Sequence, residues 1–179
     1  MSGEARSALE WLALAAPRPA ICRWEWEHSR QGVALLPAGR RWDVLILPGV
    51  LGMTTLDVLA RVIDRPGPVL ADQERRRVGY FVPPGTAARW LGTGVRAAGP
   101  GSWIVVPHPE RSVPAAHWLV RPDGSGTLND PAVLELAMHE AAALVAAPAP
   151  APAHDDPDPT HAHALAPEDP PPGTRGAER

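Results

Sequence analysis

Proline sets the grain of this chain. Trp42 to Leu47 is closed by Pro48-Gly49, Val78 to Val82 by Pro83-Pro84-Gly85, and the apolar run at residues 103–106 by Pro107. Proline lacks an amide donor and fixes φ, so neither a sheet ladder nor a helix passes easily through it. Runs of this length predict short strands. No stretch approaches the roughly 18 uninterrupted apolar residues of a membrane-spanning helix, so no membrane partner is expected.

Further strands are expected at Val33 to Leu36, at Val69-Leu70-Ala71 and at His117 to Val120, the last followed by the turn Pro122-Asp123-Gly124. Helical periodicity shows in three places. Leu9, Leu12, Ala13 and Ala16 form a stripe stopped by Pro17 and Pro19. From Thr54 onward, Leu56, Leu59, Ala60 and Ile63 recur at i, i+3, i+4 and i+7, and the pattern ends before Pro66-Gly67. Asp130-Pro131 opens a last helix that runs to about Val145, with Asp130 as N-cap and Pro131 at the first helical position. Thr86 to Leu91 reads as a short helix capped by Thr86. Together these elements predict an α+β (mixed α/β) single compact domain with a small sheet and about three helices.

The domain is expected to end near residue 145. Nine of the 23 prolines lie in residues 146–179, with almost nothing large and apolar except Leu165. Such a segment buries too little surface to offset its ordering entropy, and a disordered, Pro/Ala-rich acidic tail is expected. Its His154, Asp155, Asp156, Asp158, His161 and His163 are metal-ligand types without the rigid second shell that a site needs. No metal site and no cofactor are predicted. The tail carries a net charge of −4 and residues 1–145 a net charge of +1. A near-neutral domain lacks the basic excess usual in nucleic-acid binders.

All 17 basic residues are Arg, which removes Schiff-base and P-loop lysine chemistry. Abundant Ala, Gly and Pro fit a high-GC bacterial genome. The single Cys22 makes no internal disulfide and suits a reducing cytoplasm, and no signal peptide is expected from Met-Ser-Gly-Glu-Ala-Arg. Phe and Tyr occur once each, so the seven Trp residues must supply most aromatic packing, and Trp90 and Trp103 are read as core. His139-Glu140 lacks the second His of a zinc protease motif, and Gly92-x-Gly94 and Gly124-x-Gly126 read as turns.

Residues 94–107, Gly-Val-Arg-Ala-Ala-Gly-Pro-Gly-Ser-Trp-Ile-Val-Val-Pro, are followed by the apolar run His117-Trp118-Leu119-Val120. Upstream stands Arg76-Arg77-Val78-Gly79-Tyr80-Phe81-Val82-Pro83-Pro84-Gly85. In order and spacing these segments, roughly residues 76–121, resemble the N-terminal domain of the bifunctional DNA primase/polymerase family. There the first stretch runs roughly G-V-D-V-R-G-x-G-G-Y-V-V-A-P-P-S and the second G-G-R-H-L-Y-F-R-V. The family's metal-holding aspartate falls at Arg96, its arginine at Ala98 and its phosphate-contacting histidine at Val78. Its Asp-x-Asp aligns only with Asp57 and Leu59, where the periodicity is helical. The resemblance therefore implies a degenerate member, without catalytic residues, that binds DNA, a nucleotide or a protein.

The run Arg75-Arg76-Arg77 together with Arg96 is the candidate nucleic-acid or nucleotide contact, because guanidinium groups pair bidentately with phosphate oxygens. If an ancestral groove is kept, these four should face one concave surface beside the strands at 78–82 and 103–106. Two alternatives stand beside this reading. One is an active metal-dependent nucleotidyl transferase with other ligands, which needs carboxylates converging in one pocket. The other is a protein-interaction domain, unrelated to nucleic acid, whose tail recruits a partner.

Hydrophobic periodicity stops at Val145, so a chain ending there is expected to unfold cooperatively within a few degrees of the full-length protein. Thermal melts of both forms check this, and a larger drop would place stabilising contacts in the tail.

Overall fold

The computed structural model of the chain describes residues 7–147 apart from Gln73, Thr93, Ser112, Pro114 and Ala115. The acidic, His-containing tail expected beyond residue 146 lies almost wholly outside the described residues. These fall within one compact unit, Met1–Ala147.

The fold is α+β and is organised around strand alternation. Strands β2 (Asp43–Pro48), β3 (Val69–Asp72), β4 (Arg77–Val82), β5 (Arg96–Ala98) and β7 (Ala116–Val120) form an antiparallel sheet in the order β5-β2-β4-β3-β7. Successive side chains of a strand point to opposite faces. Val44 of β2 accordingly joins one apolar cluster, and Leu45 and Leu47 join another. In β4, Phe81 goes to the first, while Val78, Tyr80 and Val82 go to the second. A sheet buried on both faces needs a layer on each side.

The second face is covered by α3 (Gly49–Val62) and α5 (Pro131–Ala146), through Val58, Leu59, Leu134, Ala137 and Ala141. Burial of each large aliphatic side chain contributes about 1.5–3 kcal/mol. Helix α3 approaches the sheet closely because of its glycines. A Cβ on Gly49 would stand 1.8 Å from the Arg75 carbonyl oxygen, and one on Gly52 would stand 2.5 Å from Val78 Cβ. That proximity lets the Tyr80 hydroxyl donate to the Gly52 carbonyl at 2.6 Å.

The first face is covered by α1 (Ala8–Ala13), α2 (Pro19–His28) and an antiparallel ribbon of β1 (Val33–Pro37) and β6 (Trp103–Pro107). Trp26, fully buried, donates its indole N–H to the Val106 carbonyl at 3.1 Å and fastens α2 to the ribbon. A short α4 (Thr86–Arg89) completes the elements.

The strands expected near 33–36, 42–47, 69–71, 78–82, 103–106 and 117–120 are all present. So is the last helix, where Asp130 accepts from the amides of Ala132 and Val133 at 2.8 and 3.1 Å. Several details differ. Among the described residues there are five helical segments and two sheets, beside the about three helices and one small sheet expected. The stop expected at Pro17 and Pro19 hides α2, since Pro19 occupies its first turn, where a missing N–H costs nothing. Helix α3 begins at Gly49 rather than near Thr54, and β5 arises where no strand is expected from the sequence. The cap of α4 is Gly85 at φ 85°, while Thr86 Oγ1 donates to the Pro83 carbonyl at 2.6 Å.

Gly52→Ala should force α3 away from β4 and lower stability by about 1–3 kcal/mol. Urea unfolding of the purified variant measures the loss, and an unchanged midpoint would mean that the helix shifts without cost.

Candidate functional site

The ribbon leaves part of the first sheet face uncovered, and a groove of about 380 Å³ opens there between the sheet and β6. Register explains its lining. Ile46 pairs with Gly79 on one side and with Arg96 on the other, and Pro48 pairs with Arg77. Arg96, Ile46, Gly79 and Arg77 therefore share one sheet face, with Leu70 opposite Gly79 on β3. Gly79 gives the floor no side chain, and a Cβ there would stand 3.0 Å from Val44 Cγ1. The opposite wall is Ser102, Trp103, Ile104 and Val105, and the end near the β3–β4 loop carries Asp72.

Arg77 and Arg96 thus line one groove, and both are exposed. Asp72, half-buried, is the carboxylate beside them. Its Oδ1 accepts from the backbone amides of Arg76 and Arg77 at 2.7 and 3.2 Å, so it serves as a turn brace as well as a local counter-charge. Arg75 and Arg76 are not among the residues that line the groove. Arg75 adopts a left-handed φ of 52° in the loop, and the Arg76 carbonyl accepts from the Gly49 amide at 2.7 Å, which ties the loop to the start of α3. The Arg76 guanidinium pairs with Glu74 at 2.6 Å. Two of the four candidate arginines meet in the groove, and the other two belong to the loop's own architecture.

Trp103, read as core, is 57% exposed at the groove's edge, whereas Trp90 is partly buried in the cluster under α3 and α5. Sequence reasoning missed Trp103 because a tryptophan in an apolar run looks the same whether its strand is central or peripheral. It also missed Asp43, wholly buried at the start of β2, whose Oδ2 accepts from the Ala87 amide at 2.8 Å.

The carboxylates that an active metal site would require lie on different elements. Asp57 is exposed on α3, the layer behind the sheet, and Asp72 faces the groove in front. Asp123 follows β7, where Ser125 donates its hydroxyl at 2.6 Å and its amide at 2.9 Å and holds the carboxyl below its ordinary range. Among the described residues, no three His, Cys, Asp or Glu side chains are grouped to hold a metal ion. Among them, too, no helix is long and apolar enough to cross a membrane.

Gly94, Gly124 and Gly126 have φ of 78°, 83° and 88°, in keeping with turns. Glu140 of the His139-Glu140 pair lies 3.9 Å from Arg61 on the helical layer. No protein-family model, curated protein or solved structure matches the chain.

Cys22 is buried under α2, and burial, helped by Glu25, pushes its thiol up to about 11. Since the thiolate is the reactive form, Cys22 should resist iodoacetamide at pH 8 in the folded protein and react after unfolding in guanidinium. Mass spectrometry reads both states. Rapid alkylation of the native protein would make this thiol a functional one.

Proposed function

We propose that the protein is a binding module of primase/polymerase-like character that does not catalyse nucleotidyl transfer, and that it holds an anionic group between Arg77 and Arg96 without a metal ion. The observation that carries this reading is that Arg77 and Arg96 line one groove whose neighbouring carboxylate, Asp72, is engaged by backbone amides.

The sequence resemblance supports it. Arg96 stands where that family keeps a metal-holding aspartate, and a fixed cation repels a divalent ion. At about 4 Å and an effective dielectric near 20, the repulsion is roughly 8 kcal/mol. A guanidinium supplies the positive charge itself and offers paired donors to phosphate or carboxylate oxygens. Nucleotide, single-stranded DNA and an acidic protein segment all present such oxygens. The unpaired cysteine fits a cytoplasmic setting.

Inorganic triphosphate should bind weakly in the presence of EDTA and be released by moderate salt, because exposed charges are screened. Arg96→Glu should weaken the affinity at least about tenfold, the equivalent of about 1.4 kcal/mol. Calorimetric titration of both proteins at low ionic strength tests this. Equal binding by the variant, or primer extension by the wild-type protein with Mg²⁺ or Mn²⁺, would overturn the proposal.

A further inference from the structure

The groove's outer wall is a strand edge. Ser102, Trp103, Ile104 and Val105 are consecutive, yet all four line the groove. Side chains alternate between faces, so consecutive residues border one groove when it runs along the strand's flank rather than over one of its faces. Among the described residues β6 pairs with β1 alone, which leaves that flank without a neighbouring strand.

The register tells which backbone groups face the groove. Ala38 donates to Ser102 at one end of the ribbon, at 3.0 Å, and His108 donates to Gly32 at the other, at 2.9 Å. In an antiparallel ladder the paired residues alternate. Ile104 and Val106 thus bond toward β1, while Trp103 and Val105 direct N–H and C=O away from it. Proline obeys the same parity, since Pro37 pairs with Trp103 and Pro107 with Val33, both positions whose amide faces away from the partner strand. Among the described residues no hydrogen bond takes the Trp103 or Val105 backbone groups. Pro107 ends the edge, its carbonyl accepting from Trp118 Nε1 at 3.3 Å.

We infer that this edge accepts a short extended peptide as an added strand, and that an acidic side chain of the peptide is the anion held by Arg77 and Arg96. The inference rests on the anion-binding reading and names its partner. Strand addition draws affinity from main-chain hydrogen bonds and specificity from alternate side chains. A residue opposite Ile104 shares the inward direction of Ile104, toward the floor at Ile46 and Gly79 on the sheet face that Arg77 and Arg96 share. Its neighbours, opposite Trp103 and Val105, exchange hydrogen bonds with the edge and lay their side chains beside Trp103 and Val105, which are 57% and 43% exposed. Two edge residues suit a core of about three peptide residues, with the acid in the middle. A free edge favours a peptide over a nucleic acid, because a phosphodiester backbone has no N–H and C=O at strand spacing.

The test uses the full chain and libraries of acetylated pentapeptide amides, randomised except for a central Glu, Gln or Lys. The Glu library should be retained and the Lys library should not. In a retained sequence, methylating either amide that flanks the central residue should weaken binding about tenfold, while methylating the central amide changes it less than about twofold. Val105→Pro removes one groove-facing N–H without touching the β1 ladder and should also weaken binding about tenfold, with circular dichroism confirming the fold. Arg96→Glu should abolish the preference for Glu. If all methylated peptides bind alike while Arg96→Glu still weakens them, strand addition is wrong and the anion site stands. A thymidine dodecanucleotide that binds at least about tenfold more tightly than any retained peptide, and displaces it, would make the occupant a nucleic acid. If neither library peptides, oligonucleotide nor triphosphate bind at low salt, both readings fall.

Discussion

Strand β2 sits between β4 and β5, and its side chains alternate between two cores. Val44 packs with Trp42, Phe81 and Leu70 under the ribbon, while Leu45 and Leu47 pack under α3 and α5. A slip of one residue would exchange those sets, and the same slip in β4 or β5 would drive Arg77 or Arg96 into the helical layer. Burying unpaired guanidinium groups there would cost several kcal/mol each. The register that builds both cores therefore also decides that these arginines emerge on the same side. Gly79, opposite Ile46, keeps the space between them open.

The groove differs from a metal site in how it supplies charge. Carboxylates gathered around an ion create a positive centre only after the ion arrives. Two exposed arginines provide that charge permanently. Asp72 tempers it, but one of its oxygens is bound to the turn between β3 and β4. That same turn, with Arg75 at positive φ and the Arg76 carbonyl on the Gly49 amide, holds α3 against the sheet. The densest arginine run thus divides into loop architecture and groove lining at the boundary between Arg76 and Arg77.

The Trp103 edge follows from the incomplete coverage of the sheet's first face. Helices α3 and α5 meet over the second face, whereas the first is shared by two short helices and a ribbon of two strands. Trp42 and Trp118 pack at a tilt against Phe81 beneath the covered part, with ring centroids 4.6 and 5.5 Å from it. Beyond them lies the groove, and among the described residues β6 pairs with β1 alone. An exposed edge of any length invites unintended pairing, and here proline at residue 107 keeps it short.

The strands, the capped final helix and the α+β class were legible from proline spacing, apolar runs and the Asp130-Pro131 pair, because each depends on neighbours within a few residues. Helix α2 was hidden because proline reads equally as a stop or as a first-turn residue, and β5 because three residues carry no periodicity. The meeting of Arg77 with Arg96 and the exposure of Trp103 were decided by strand order and register, over separations of nearly twenty residues in one case and by a neighbouring layer in the other. Local sequence determined which segments became strands and where they ended, since backbone geometry and side-chain alternation act over short distances. Which of those strands acquired a partner on each side, and so which flank borders the groove with the two arginines, was decided by tertiary packing alone, because hydrogen-bond pairing and burial are properties of the neighbour as much as of the strand.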